Sequence, residues 1–208
     1  TETMTYQLVK EQVDYQKLPE LLITEIVPDS SNISGADAYE FIEIYNNTNE
    51  AINFKDYTIR YRYPGEDASG DLLWQPEEDV QVIIPAGESV VFWNINKANA
   101  HLNAMDFNTN YGTNLIEGKN LFRLYNNGLA NSSQRTLIVS TKTGYEISAA
   151  SYFDEVGVDD TAPDKGIFYK YPIDGIIKLK KISGGTLKAI PGSVMAEQVP
   201  ELRSCRKL

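Results

Sequence analysis

The chain predicts an all-β fold, an immunoglobulin-like β-sandwich with one short helical insertion. Three observations support this. Short β-branched and aromatic runs recur along the 208 residues, separated by turn-forming stretches. The strand–helix–strand alternation that builds a parallel sheet is absent. The 42% hydrophobic and 23% charged fractions describe a globular chain long enough to build a core without disulfide or metal staples.

Residues 1–18 are polar and weakly patterned and read as a lead-in or linker. Residues 21–27, LLITEIV, predict a buried strand interrupted by Glu25 and stopped at Pro28 before the loop DSSNISGAD. Residues 39–45 alternate. Tyr39, Phe41, Glu43 and Tyr45 face one way, and Glu40, Ile42 and Ile44 the other, before the turn Asn46-Asn47-Thr48-Asn49. Short strands are expected at 51–54, 57–61 and 72–74. The segments 81–84 and 89–94 flank Pro85-Ala86-Gly87-Glu88, a hairpin or sandwich corner. Ala98, Leu102 and Met105 fall at helical spacing, which places the helix over 97–110, closed by Gly112. Strands follow at 121–125, 135–140 and 145–151, the last two joined by Thr141-Lys142-Thr143-Gly144. After the acidic loop 153–165, strands are expected at 166–171 and 176–180. From residue 183 the chain thins into Gly, Ser and Pro and reads as a linker or tail, so the domain is expected to span 19–182.

Within this pattern, Thr24-Glu25, then Glu40-Phe41-Ile42-Glu43-Ile44-Tyr45-Asn46, then Ile52-Asn53-Phe54-Lys55-Asp56-Tyr57-Thr58-Ile59 form a recognisable series. With Pro85-Ala86-Gly87 before Val90-Val91-Phe92, the sequence resembles the lamin-tail domain family. The resemblance covers residues 21–94 and extends with weaker motifs to about 151. It implies an immunoglobulin-like sandwich. It also implies the setting of bacterial secreted proteins, where such modules accompany nucleases, phosphoesterases, or spore and surface proteins without catalytic residues of their own. The helical insert and the acidic loop resemble the bacterial relatives, and no rod-type heptads are present.

The formal net charge of −10 weighs against strong nucleic-acid binding by this module. The charge is uneven: residues 1–104 hold 18 acids and 6 bases, whereas from Lys165 onward there are 9 bases and 3 acids. The basic run Lys178, Lys180, Lys181 and Lys188 is the one candidate for a polyanion contact. Cys205 stands alone, which excludes an intrachain disulfide and a cysteine-based metal site. No apolar run approaches the about 18 residues of a membrane-spanning helix. Opening on Thr1, the chain reads as a processed or excised fragment of a secreted or cell-surface bacterial protein.

Chemistry is sparse. His101 is the sole histidine and lacks the companions of a catalytic triad. Oxygen-rich clusters suited to Ca²⁺ are Asp154, Glu155, Asp159, Asp160 and Asp164 in the acidic loop, and Glu25, Asp29, Asp37 and Glu40 around the first. Neither has EF-hand spacing. Glu25, Glu40 and Glu43 interrupt apolar strands, where they would accept backbone hydrogen bonds or pair with Arg60 or Arg62. Tyr61, Tyr63 and Trp74 are the candidate recognition patch. The expected function is a non-catalytic accessory module that binds a protein or cell-surface polymer, or positions a neighbouring phosphoesterase or nuclease domain. A self-associating surface or spore-coat component and a metal-dependent hydrolase using the acidic loops are the alternatives.

Overall fold

The computed structural model describes residues 17–172 and 176–200, so the expected lead-in lies outside the described residues except for its last two positions. The strands are β1 (Leu21–Val27), β2 (Asn32–Ile33), β3 (Ala36–Asp37), β4 (Phe41–Asn46), β5 (Ile52–Asn53), β6 (Tyr57–Arg62), β7 (Leu72–Trp74), β8 (Ile83–Ile84), β9 (Ser89–Ile95), β10 (Leu121–Tyr125), β11 (Arg135–Thr141), β12 (Glu146–Tyr152), β13 (Lys165–Lys170) and β14 (Lys180–Lys188). The helix α1 spans Ala104–Tyr111. A six-stranded sheet ordered β10-β9-β4-β1-β13-β14 faces a four-stranded sheet ordered β12-β11-β6-β7. The chain therefore forms the expected sandwich.

All seven residues of β1 are buried, and so are all six of β4. Strands covered on both faces need no polar face, which is why LLITEIV does not alternate. The inner face meets the second sheet through Ile23, Ile26, Ile42, Ile44, Phe92, Leu137 and Ile167. The outer face carries a second cluster, in which Phe41, Trp93 and Leu121 pack against Phe107 and Tyr111 of α1. The helix sits there because β9 and β10 run parallel, and a parallel pair needs a long crossover.

The helix starts later than its periodicity suggests. The Asn103 side chain accepts hydrogen bonds from Met105 N and Asp106 N, and Asp106 answers the Asn103 backbone in a capping box. Met105 is consequently exposed, and Phe107 and Tyr111 form the buried face. Gly112 ends the helix in the left-handed region (φ 72°). The Pro85-Ala86-Gly87-Glu88 turn is a corner, since β8 pairs with β5 whereas β9 pairs with β4.

The largest departure lies at the C-terminal end. Residues 183–188 belong to β14, which pairs with β13 at the edge of the six-stranded sheet. The chain then runs back over the sheet's outer face as an arm. Gln198 donates to Thr24 O (2.6 Å) and Tyr169 O (3.0 Å), and Tyr171 N donates to Gln198 O (3.1 Å). The Gly- and Pro-rich composition that suggests a linker instead lets this segment lie close against the sheet: Ala189, Pro191 and Pro200 are buried. A chain ended after Ile182 would bare buried polar groups of β1 and β4. Its melting temperature is expected to fall by about 10 °C or more against the full chain, read by differential scanning calorimetry.

Candidate functional site

The expected aromatic patch divides between core and surface. Cross-strand pairing of β6 with β7 sets Tyr61 opposite Leu72 and Ile59 opposite Trp74. Tyr61 and Trp74 stack at 4.6 Å between ring centroids inside the main core, and the Tyr61 hydroxyl accepts from Ala130 N (2.9 Å). Only Tyr63 reaches the surface, where the Arg135 guanidinium carbon lies 4.0 Å from its ring centroid. The three residues therefore form a stack running inward, not a shared exposed platform.

The acidic loop does not assemble a metal site either. Lys181 Nζ lies between Asp154 Oδ1 (2.9 Å) and Asp160 Oδ2 (2.7 Å), and Asp160 also accepts from Phe153 N (2.7 Å). Burial opposes the charge on Asp154, but the ammonium groups of Lys181 and Lys178 hold its carboxyl below the usual range. Burial likewise opposes charge on Lys181, and the two aspartates raise it. Asp159 caps Thr161 N (3.0 Å). Asp164 points elsewhere, accepting from Ser31 N (3.0 Å) and Asn110 Nδ2 (2.8 Å). Asp37 of the first loop accepts from Ser30 N (2.7 Å). Burial, with Asp37, Asp164 and Asp159 nearby, raises the Asp29 carboxyl. Among the described residues no group of three or more His, Cys, Asp or Glu side chains is arranged to hold a metal ion. His101 is exposed in the turn before α1.

The most unusual chemistry lies on the outer face of the six-stranded sheet. A β-bulge between Ile23 and Glu25 brings Glu25 directly opposite Glu43, and both side chains are fully buried. Among the described residues neither pairs with an arginine; Arg60 and Arg62 are taken by Asp71, with Arg62 bidentate to it at 2.7 and 2.8 Å. Backbone and hydroxyl donors serve the two glutamates instead. Ile190 N donates to Glu25 (3.1 Å), and Gly192 N (2.7 Å), Ser89 Oγ (3.1 Å) and Thr24 Oγ1 (2.5 Å) donate to Glu43. Burial raises Glu43 to about 7. Glu25 is raised well above its ordinary value by burial and then by the charge of Glu43. Glu40 is likewise raised by burial and accepts from Leu129 N (2.7 Å). The sequence signals this site only as two acids inside apolar strands. Beside it a cavity of about 400 Å³ is lined by Tyr45, Ser89, Lys119, Asn120, Gly192 and Val194 among others. Solvent does not reach the two carboxylates, so the pair acts as a structural fastening rather than an exposed acid–base couple.

Two comparisons with known proteins bear on this arrangement. The profile of the family described as Lamin Tail Domain matches residues 16–154. A protein of Bacillus subtilis (strain 168), described as "Uncharacterized protein YvnB", is 43% identical over 209 aligned residues. The alignment covers 100% of this chain and 16% of that protein, so the chain spans about a sixth of its relative's length.

Two outcomes follow from the electrostatics. Glu43 binds its proton more tightly folded, at about 7, than unfolded, near its ordinary 4.5. The folded state therefore gains stability below the unfolded value, and this gain is lost as pH rises from about 4.5 to about 7. Denaturant titrations of the wild type should show that decline, and Glu43→Gln should make it shallower, Glu25 and Glu40 supplying what remains. Separately, Lys181→Met leaves Asp160 buried without its cation. It is expected to cost about 3–5 kcal/mol in denaturant unfolding, with a partial recovery in Lys181→Met/Asp160→Asn.

Proposed function

The chain belongs to the Lamin Tail Domain family, and on that premise we propose that it is a non-catalytic binding and scaffolding module of a larger secreted or surface-exposed bacterial polypeptide. The observation that carries this reading is the 16% share: the whole chain aligns to one part of a bacterial relative about six times its length. Three features of the site agree with it. Its perturbed carboxylates are buried and hydrogen-bonded, Asp154 and Asp160 of its acidic loop are paired with Lys181, and its single histidine sits exposed with no partner acid among the described residues. The geometry also suits a module hung from a longer chain. Asn47 Nδ2 donates to Pro19 O (3.2 Å) two residues beyond Tyr45, and Val199 lines the same cavity as Tyr45, so Pro19 and Val199 lie at one end of the six-stranded sheet. The partners are a cell-surface polymer or protein and the neighbouring domains that the module positions.

The test is to excise the matching region from the Bacillus subtilis relative. The remaining polypeptide is expected to accumulate as before, while its retention on the cell surface is lost. Turnover of phosphodiesters or glycans by the isolated chain would overturn the reading.

A further inference from the structure

We propose that the protein associates head to tail with further copies of itself, the acidic flank at β7 of one copy meeting the basic flank at β14 of the next. This deepens the scaffolding role and rests on that reading. The two flanks are the outermost strands of different sheets. At the other edge of the four-stranded sheet, residues 177–179 close the β12 side, with Ala149 N donating to Ile177 O and Leu179 N to Ala149 O, both at 2.8 Å. Among the described residues the β7 edge is left open, and Leu72 and Leu73 are exposed along it at 45% and 55%. An open edge with apolar side chains is a template for another strand.

Charge identifies what that strand should carry. Residues 63–83 contain six acids and no base. Asp71 is consumed by Arg60 and Arg62, while Glu66, Asp67, Glu77, Glu78 and Asp79 are exposed around β7. The opposite flank shows the reverse imbalance. Lys165 lies directly across from Lys188, and Lys170 directly across from Lys180. Like charges paired across strands destabilise a sheet unless something neutralises them. Among the described residues none of these four lysines enters an ion pair. Leu187 is 45% exposed between Thr186 and Lys188, which gives β14 an apolar contact to match Leu72 and Leu73.

The two surfaces lie on different edges of one molecule, so the contact is heterologous and builds an open row rather than a closed dimer. The net charge of −10 would keep uniformly charged copies apart. Exposed acids on one flank and unpaired lysines on the other turn that repulsion into an orienting attraction, which salt weakens.

Sedimentation velocity of the whole chain tests this at ionic strengths of about 0.02 M and about 0.5 M. At low salt the sedimentation coefficient should rise with protein concentration, and at high salt it should return to the monomer value. Glu77→Lys/Glu78→Lys/Asp79→Lys makes both flanks basic, and Lys165→Glu/Lys170→Glu/Lys188→Glu makes both acidic. Each variant alone should stay monomeric, with an unchanged thermal melt confirming its fold, and an equimolar mixture of the two should associate again. The proposal is wrong if the wild type is monomeric throughout, if association ignores the charge reversals, or if the mixture stays monomeric. Any of these leaves the accessory-module reading intact, since that stands on the excision experiment.

Discussion

The fold hinges on two carboxylates that no solvent reaches. Glu25 and Glu43 face each other across β1 and β4, and two adjacent buried acids are costly if left without hydrogen-bond donors. Ile190 and Gly192 supply those donors from a segment about 150 residues away in sequence. The arm is therefore held by the sheet's own acids, and the sheet's acids are tolerated because the arm is there. Small residues complete the fit. A side chain at Gly166 would collide with Glu25 Oε1, and one at Gly192 would collide with Leu115.

That fastening explains why the structural unit extends beyond the family match. The match ends at residue 154, yet β13 lies against β1 and β14 follows it at the sheet edge. Without Lys165–Lys170 the central strand β1 would lose one of its two partners. Covering the outer face then falls to two unrelated pieces of chain. The crossover with α1 seals the end around Phe41 and Trp93, and the arm seals the end around Glu43 and Tyr45. The stacked Tyr61–Trp74 pair and the inner aliphatic residues do the same work between the sheets.

The acids of this chain play three different parts. Some fasten loops, as Asp37 and Asp164 do for residues 30 and 31. Some are neutralised inside the protein, as Asp71 is by two arginines and Asp160 by Lys181. The remainder stay at the surface and polarise it. Residue counts alone cannot separate these parts, because each depends on which donor or cation the fold brings within about 3 Å. This is why a plausible Ca²⁺ cluster in the sequence becomes a set of separate hydrogen-bonded side chains in the structure.

Composition and local pattern alone determined the class of this protein. Period-2 runs, turn residues at their ends, a doubly buried first strand and the Glu-Phe-Ile-Glu-Ile-Tyr-Asn series specify strands and a sandwich, because hydrophobic period and turn chemistry are local properties. The helix stop at Gly112 was equally legible, although the Ala98–Leu102–Met105 spacing misplaced the helix start and its buried face. Only the tertiary structure decided what the polar residues do. The bulge that sets Glu25 against Glu43, the burial of Tyr61 and Trp74, the claim of Lys181 on Asp154 and Asp160, and the return of residues 183–200 onto the sheet all depend on partners distant in sequence. Register and long-range hydrogen bonding follow from the packing of the whole chain, and a local pattern carries no information about them.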